Sequence, residues 1–499
     1  MFAIARKVTA HKATTPARAF FTAAATVLLA AVACPAAAHA ASADDAVAYS
    51  QDASGNRTYY ATVEAARTAG YDGATIVMSR DWELSKTFEV ADSKTLAIDM
   101  NGHRIVGNDK DSAIRVHENA ALTLESSAWP TSLQVNGKPS VHSGGVVTRG
   151  KEDGGNGGGI VMDGKCTLTL DNVAVAGNSA EKGGGIYADA SCNIYIKNGA
   201  TVTENYAGQY GGGIYLAGSK TDKNTLVSMD NGSVDDNSAY KGGGGIYSWV
   251  DNTAIYLENC STVSYNEAQT GGGIYLGYTH FHVVSKDRTG SVSDNKATSD
   301  DNDCSYGGGG IHVEDVTMQK HFGEISGLTL EYNYSAQAGG AISVDQPYTH
   351  VSYCNIRKNS AGYMGGGIFF RDNHCSVTSC KVTGNVCDKS GKNEEGGGIF
   401  VSSDDDLTLD GVCTIKDNTR GKYGSADDLF LSAGLMCHAY ILGGVDAGSE
   451  VGIRTGITGD QMVGKKLSTY TDGTYFMDLG NYHLTHGSDH DGDLWQRVG

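Results

Sequence analysis

The chain has 499 residues, 38 lysines and arginines against 57 aspartates and glutamates, a formal net charge of −19 and only five prolines. So acidic a chain is a poor partner for nucleic acid or an anionic membrane surface, and it is no proline-rich stalk. It is long enough to bury a large core.

Residues 1–40 read as a secretory signal. Arg6, Lys7, Lys12 and Arg18 precede an apolar run over 19–33, and Ala38-His39-Ala40 offers a small-residue cleavage site. Cleavage would remove those four basic residues and no acidic one, taking the net charge from −19 to −23. No later run reaches the roughly 20 apolar residues that span a bilayer. The expectation is a secreted or cell-surface chain with no transmembrane segment after cleavage.

Residues 41–84 predict an N-terminal cap. Thr62 suits the N-cap of a short helix over 63–69, with Glu64 in its first turn and Gly70 ending it. Strand-like runs follow at 74–78, 87–90 and 95–100. A helix across the first coil would shield an open core end, as terminal repeats must. Irregular coils are expected from 85 to about 147, and then a glycine-rich loop over 150–158.

A repeat then begins. The phrase GGGI, usually followed by an aromatic residue, ends at Ile160, Ile186, Ile214, Ile246, Ile274, Ile311, Ile342 (as GGAI), Ile368 and Ile399. The steps are 26, 28, 32, 28, 37, 31, 26 and 31 residues. Self-similarity at such a period marks a solenoid. In phase with it runs a second motif, an aliphatic residue three before an asparagine. Its instances are Val175…Asn178, Val202…Asn205, Val234…Asn237, Val263…Asn266, Val292…Asn295, Leu330…Asn333, Ile356…Asn359, Val382…Asn385 and Ile415…Asn418. Short alternating runs such as Leu168-Thr169-Leu170 lie between them and predict half-buried strands, about three per unit. The glycines suit a tight corner. The asparagines suit a second corner, where Asn tolerates the left-handed region and its amide pairs with those above and below. The fold class is therefore all-β, a single-stranded parallel β-helix over 85–424. The 37-residue step carries an acidic insertion over 297–306, which must loop out. Residues 425–499 read as a β-rich C-terminal cap, because strand-like runs at 439–442, 450–454 and 474–477 continue without the glycines.

GG[AG]I paired with an aliphatic-x-x-Asn motif resembles the repeat of the polymorphic outer-membrane protein family, whose second motif is FxxN. Val, Leu or Ile stands here where that family has Phe. The resemblance covers roughly 157–418, and it implies a right-handed β-helix displayed at a cell surface, often in adhesion. The C-terminal membrane barrel of that family has no counterpart in the pattern. The wider fold class is similar to pectate lyases and polygalacturonases.

Ten cysteines follow the signal. Cys354, Cys380 and Cys413 each lie five residues before a repeat asparagine, and Cys166 and Cys192 match one another. They should stack on successive coils as small buried thiols; export also permits bridges between neighbours.

Three kinds of function are in view. The residue after each repeat isoleucine should point outward, which makes a stripe of Tyr187, Tyr215, Tyr247, Tyr275, His312, Ser343, Phe369 and Phe400. Such aromatic rungs could stack on sugar rings, or they could stabilise one another. The acidic groups Asp300, Asp301 and Asp303, then Asp404, Asp405 and Asp406, and Asp489, Asp491 and Asp493 supply hard oxygens of the kind calcium takes, or they are solvated loops. A polysaccharide lyase or glycoside hydrolase would show paired carboxylates or a cationic base with calcium ligands on adjacent coils. The nearest matches are Asn101-Gly102-His103-Arg104 and Asp404 to Asp406, and the net charge works against an anionic substrate. The leading expectation is an adhesin-like protein that binds an extracellular glycan or a surface protein. The enzyme is the alternative, and a purely structural spacer is the third reading.

Overall fold

The computed structural model describes residues 42–498 apart from 129–132, 136–137, 141–144, 219–222, 278–279, 300–306, 315–320, 372–373, 389–394, 403–405, 433–437, 442–448, 456–460, 467–473, 478–481 and 487–493. The expected secretory signal, residues 1–40, lies outside the described residues. The rest is a right-handed parallel β-solenoid of about 11 turns, almost without helix. Among the described residues no helix is long and apolar enough to cross a membrane.

One coil shows the plan. Ile186–Ala188 belongs to the isoleucine sheet, Asn193–Lys197 to a broad sheet, Thr201–Thr203 to a valine sheet and Tyr206–Tyr210 to a short sheet. Gly211, Gly212 and Gly213 then return the chain to Ile214–Leu216, stacked in parallel on Ile186–Ala188. From Lys151 to Arg420 each coil thus has four strands rather than three. The fourth was hidden because it is two to six residues long and its buried position is small: Ala180, Ala207, Ala239, Ala268, Ala297, Ala361. The stretch expected as a glycine-rich loop is the first of these strands, Lys151–Asn156.

The repeat isoleucines pair in one register from Ile160 to Ile399 and are fully buried. Each sits within a core shared with the broad and valine sheets. The asparagines form an unbroken chain of amides. Asn205 Nδ2 donates to Asn237 Oδ1 (3.0 Å), and Asn237 Nδ2 donates to Asn266 Oδ1 (3.0 Å), and so on to Asn418. The left-handed residue of this corner is not the asparagine but the one before it: Glu204, Asp236, Tyr265, Asp294, Tyr332, Lys358 and Asp417 have φ of 53–60°. The turn is made one step early so that the asparagine itself can point along the axis.

The two motifs are coupled through contact. The first glycine of a triplet has positive φ (Gly243, 63°). A Cβ on the second, Gly244, would lie 2.4 Å from Gly272 O and 2.6 Å from Glu267 N. A Cβ on the third, Gly245, would lie 2.9 Å from Asn266 Nδ2. Glycine therefore seats the chain directly on the asparagine corner of the next coil.

The cap helix runs Val63–Tyr71, with Thr62 Oγ1 accepting from Ala65 N at 3.1 Å. Gly70 lies inside the helix instead of ending it. It is glycine because a Cβ there would meet Leu96 Cδ1 at 2.2 Å. At the other end the coils continue past 424: Leu429–Leu431 and Glu450–Thr455 still pair in parallel with the stack. All eight described cysteines are free thiols, seven of them buried, and Cys354 N donates to Cys380 Sγ at 3.4 Å.

One buried rung is titratable. His312 follows Tyr275 in the stack (centroids 5.1 Å apart), is almost wholly buried, and its Nδ1 has no hydrogen-bond partner among the described residues. Burial pushes its pKa down to about 3. The unfolded chain, with an ordinary imidazole near 6.5, then binds more protons than the folded one between about pH 3 and 6.5. Stability should therefore fall as pH drops through that window, by roughly 3 kcal/mol at pH 4. In His312→Phe the urea midpoint should lose that part of its acid slope; an unchanged slope from pH 7 to 4 would refute the assignment.

Candidate functional site

The stripe after the repeat isoleucines lies outside the main core, as expected, but it is not open to solvent. Tyr215, Tyr247 and Tyr275 are 9%, 5% and 8% exposed, Phe369 and Phe400 2% and 4%; Tyr187, at the end of the row, is half-buried. Their faces are taken by each other: Tyr187–Tyr215 5.4 Å, Tyr215–Tyr247 5.1 Å, Tyr247–Tyr275 4.7 Å, Phe369–Phe400 5.5 Å between centroids. Tyr210, from the short sheet, closes on Tyr247 at 4.6 Å. The phenol of Tyr215 is pushed up to about 12, by burial first and then by Tyr187 and Tyr210. The row ends on Phe430, where the Arg454 guanidinium lies 3.9 Å from the ring centroid and is held by Asp427 through two 2.7 Å bonds. This is a second, narrow core, and no ring in its middle presents a face to a sugar.

Of the acidic groups, Asp300, Asp301, Asp303, Asp404, Asp405, Asp489, Asp491 and Asp493 lie outside the described residues. Asp406 opens the strand Asp406–Asp410. Among the described residues no group of three or more His, Cys, Asp and Glu is placed to hold a metal ion. Near the N-terminus, Arg104 is bound to Asp81 by Nε (2.8 Å) and Nη2 (2.6 Å), and Asn101 Nδ2 donates to Met78 O, so that near match to an enzyme motif ties coils together.

Open chemistry gathers instead on the outer face of the broad sheet. Four adjacent strands, Asp251–Glu258, Phe281–Val284, Gly323–Ser326 and Thr349–Ser352, alternate strictly. Phe281, Val283, Ile325 and Val351 point into the core. Gly323 has no side chain because Phe281 fills the space: a Cβ there would lie 2.3 Å from its ring. The opposite parity puts Tyr256, Val284, Ser326 and Ser352 in one outward row, and His282, Glu324, His350 and Ser376 in the next. His282 Nδ1 and Glu324 Oε2 are 2.8 Å apart; His350 Nδ1 and Ser376 Oγ are 2.6 Å apart. Beside them runs a row of rings, Phe322, Tyr348 and His374, at 5.5 and 4.9 Å.

Two adjoining hollows result, of 490 and 290 Å³, sharing His282 and Glu324. Tyr256 and Tyr353 stand at the two sides of the larger one, three strand spacings or about 14 Å apart. Tyr353 and Phe322 are 48% and 54% exposed. The turn after Val284 brings Lys286 and Arg288 to the same place. Lys286 Nζ sits 4.6 Å from the Tyr256 ring centroid and the Arg288 guanidinium 4.4 Å from that of Tyr353. That turn is rigid. Glu258 accepts from Lys286 N and Asp287 N (3.1 Å each), and Asp287 accepts from Asn259 N (2.7 Å), Thr289 N and the Ser285 and Thr289 hydroxyls. Burial works to raise the Asp287 carboxyl, but those bonds together hold it far below its usual range. At the upper edge, burial likewise opposes ionisation of Asp251, and the His280 ring and backbone N–H outweigh it.

No family model matches the chain, and no curated protein matches it. What the face can do must be read from its groups. Among the lining residues Glu324 is the single carboxylate, whereas glycoside hydrolysis ordinarily employs two. Aromatic walls, hydroxyls and paired imidazole and carboxylate groups on a rigid sheet suit the binding of a polyhydroxylated ligand. None of these residues was singled out from the sequence. A signal was present: His282, His350 and Ser376 each stand eight residues after a repeat isoleucine. Glu324 stands thirteen after its own, displaced by the longer connection of that coil.

Proposed function

We propose that this chain is a secreted or cell-surface β-solenoid that binds a glycan of a neighbouring surface along the outer face of its broad sheet, an adhesin-like role. The observation that carries the reading is the 490 Å³ groove between Tyr256 and Tyr353, placed on strands whose inward residues are locked in the core. Rigid placement limits the ordering cost that weakens most surface binding. Repetition along the axis suits a polymeric ligand, since a solenoid presents an extended surface.

The test is retention of the purified protein on a panel of immobilised polysaccharides, with and without Ca²⁺, while reducing and unsaturated ends are assayed. Retention without cleavage is expected, and Tyr256→Ser with Tyr353→Ser should reduce it at least about tenfold, one stacked aromatic contact being worth roughly 1 kcal/mol or more. Full retention by that double variant would remove the groove from the binding surface. Release of unsaturated or reducing ends would replace the adhesin with a lyase or hydrolase.

A further inference from the structure

Among the described residues from Arg104 to Arg454, every arginine but Arg288 is paired with a carboxylate. Arg104, Arg115, Arg149, Arg357, Arg371, Arg420 and Arg454 each reach an aspartate or glutamate. Arg288 makes no ion pair among the described residues, and neither does Lys286 two positions before it. For the lysine this is ordinary, since Lys182, Lys197 and Lys241 likewise rest on tyrosine rings; for the arginine it is unusual in a chain with 57 acidic residues against 38 basic ones. The carboxylates that hold the turn are engaged by it: Glu258 accepts two backbone N–H groups, and Asp287 accepts from two backbone N–H groups and two hydroxyls. The turn therefore holds two cations apart from its own anions and rests each on a tyrosine at opposite sides of the groove.

From this geometry we infer that the ligand is an acidic glycan, whose sulfate or carboxylate groups seat on Lys286 and Arg288 while its rings lie between Tyr256 and Tyr353. The inference rests on the reading that the groove binds a glycan and specifies which kind. Guanidinium binds such groups through two parallel N–H bonds, and ammonium as a point charge. A cation already lying on an aromatic face is partly desolvated and held in place, so less freedom is lost when an anion arrives. The Glu324–His282 pair lies toward the other end of the hollow, where its polar atoms suit hydroxyls. The negative charge of the whole chain does not veto this. At physiological ionic strength it is screened beyond about 8 Å, so the local pair decides.

The experiment compares heparin (sulfate and carboxylate), hyaluronan (carboxylate alone) and dextran (neutral) as surfaces for the full protein and for Lys286→Gln/Arg288→Gln. Both side chains are exposed, so the variant should melt with the wild type, which is checked first. The expected result is retention on at least one acidic polymer well above dextran. The double variant should lose it by about a hundredfold, a tenfold or larger loss for each charge-assisted contact. Raising the salt concentration should weaken binding of the wild type more than of the variant. The two acidic surfaces report which anion is recognised. Equal retention on dextran, or an unaffected double variant, overturns the acidic-glycan inference and leaves the groove as a neutral-sugar site. Retention on none of the wider panel overturns the proposed function and this inference with it.

Discussion

Replacing Tyr215, Tyr247 and Tyr275 together by serine should unfold the middle coils rather than silence a binding face. Each ring is stacked on the next at 4.7–5.1 Å and almost wholly buried. Loss of one large buried aromatic side chain costs about 3–5 kcal/mol. Three contiguous losses share their cavities and do not add fully, so a total of roughly 6–10 kcal/mol is expected. That is comparable to the entire stability of an ordinary domain. In a solenoid each coil leans only on its neighbours, so the damage should spread from that place outward. Hydrogen exchange should show it as lost protection at the amides of Ile214, Ile246 and Ile274, with the terminal coils less affected. Tyrosine to phenylalanine at the same three positions keeps the stack and should keep the fold. A triple serine variant with native protection and an unchanged melting temperature would show that the rings are dispensable, which would reopen the stripe as a ligand site.

The solenoid was legible in the sequence because its two motifs answer to hard constraints. Ile246 and Ile274 must face inward on every coil, and Gly244 and Gly245 must lie against the backbone and amide of the next coil, where no Cβ fits. Constraints of that kind leave one residue type per position and so leave a repeat. The short sheet was not legible. Its only demand is a small residue such as Ala207 or Ala239, and a two-residue strand between glycines has no periodicity to read. The outward stripe was located correctly, yet its burial was not foreseen, because what covers Tyr247 is Tyr210 of that unseen strand. The groove was illegible for the opposite reason. His282, Glu324, Lys286, Arg288 and Tyr353 occupy exposed positions on which stacking places no demand, so they vary from coil to coil and form no motif. They become neighbours only once the register across three strands is known.

The asparagine chain has a direction, and that direction makes a second strong prediction. Every amide donates toward the C-terminal coil and accepts from the N-terminal one. Asn266 Oδ1 receives both Asn237 N and Asn237 Nδ2 (3.0 Å each), while Asn266 Nδ2 donates to Asn295 Oδ1 (3.0 Å) and Val234 O (2.9 Å). The last member, Asn418, needs only an acceptor beyond it, and finds a carboxylate: Asp428 Oδ1 takes Asn418 N at 2.7 Å and Nδ2 at 2.9 Å. An anion there also answers the aligned amide dipoles, as it does at a helix N-terminus. Asn266→Ala should strip the buried Asn237 N–H of its acceptor, remove three further hydrogen bonds and leave a void under Gly245. An orphaned buried donor costs about 1–3 kcal/mol and each lost bond about 1, so the expected destabilisation is roughly 4–6 kcal/mol. Asn266→Asp keeps the acceptor but turns an oxygen toward Val234 O and Asn295 Oδ1, so it should be no better. Asp is accepted only where the chain of amides ends. Urea unfolding of both variants beside wild type decides the matter: if Asn266→Asp proved as stable as wild type, the direction assigned to the ladder would be wrong.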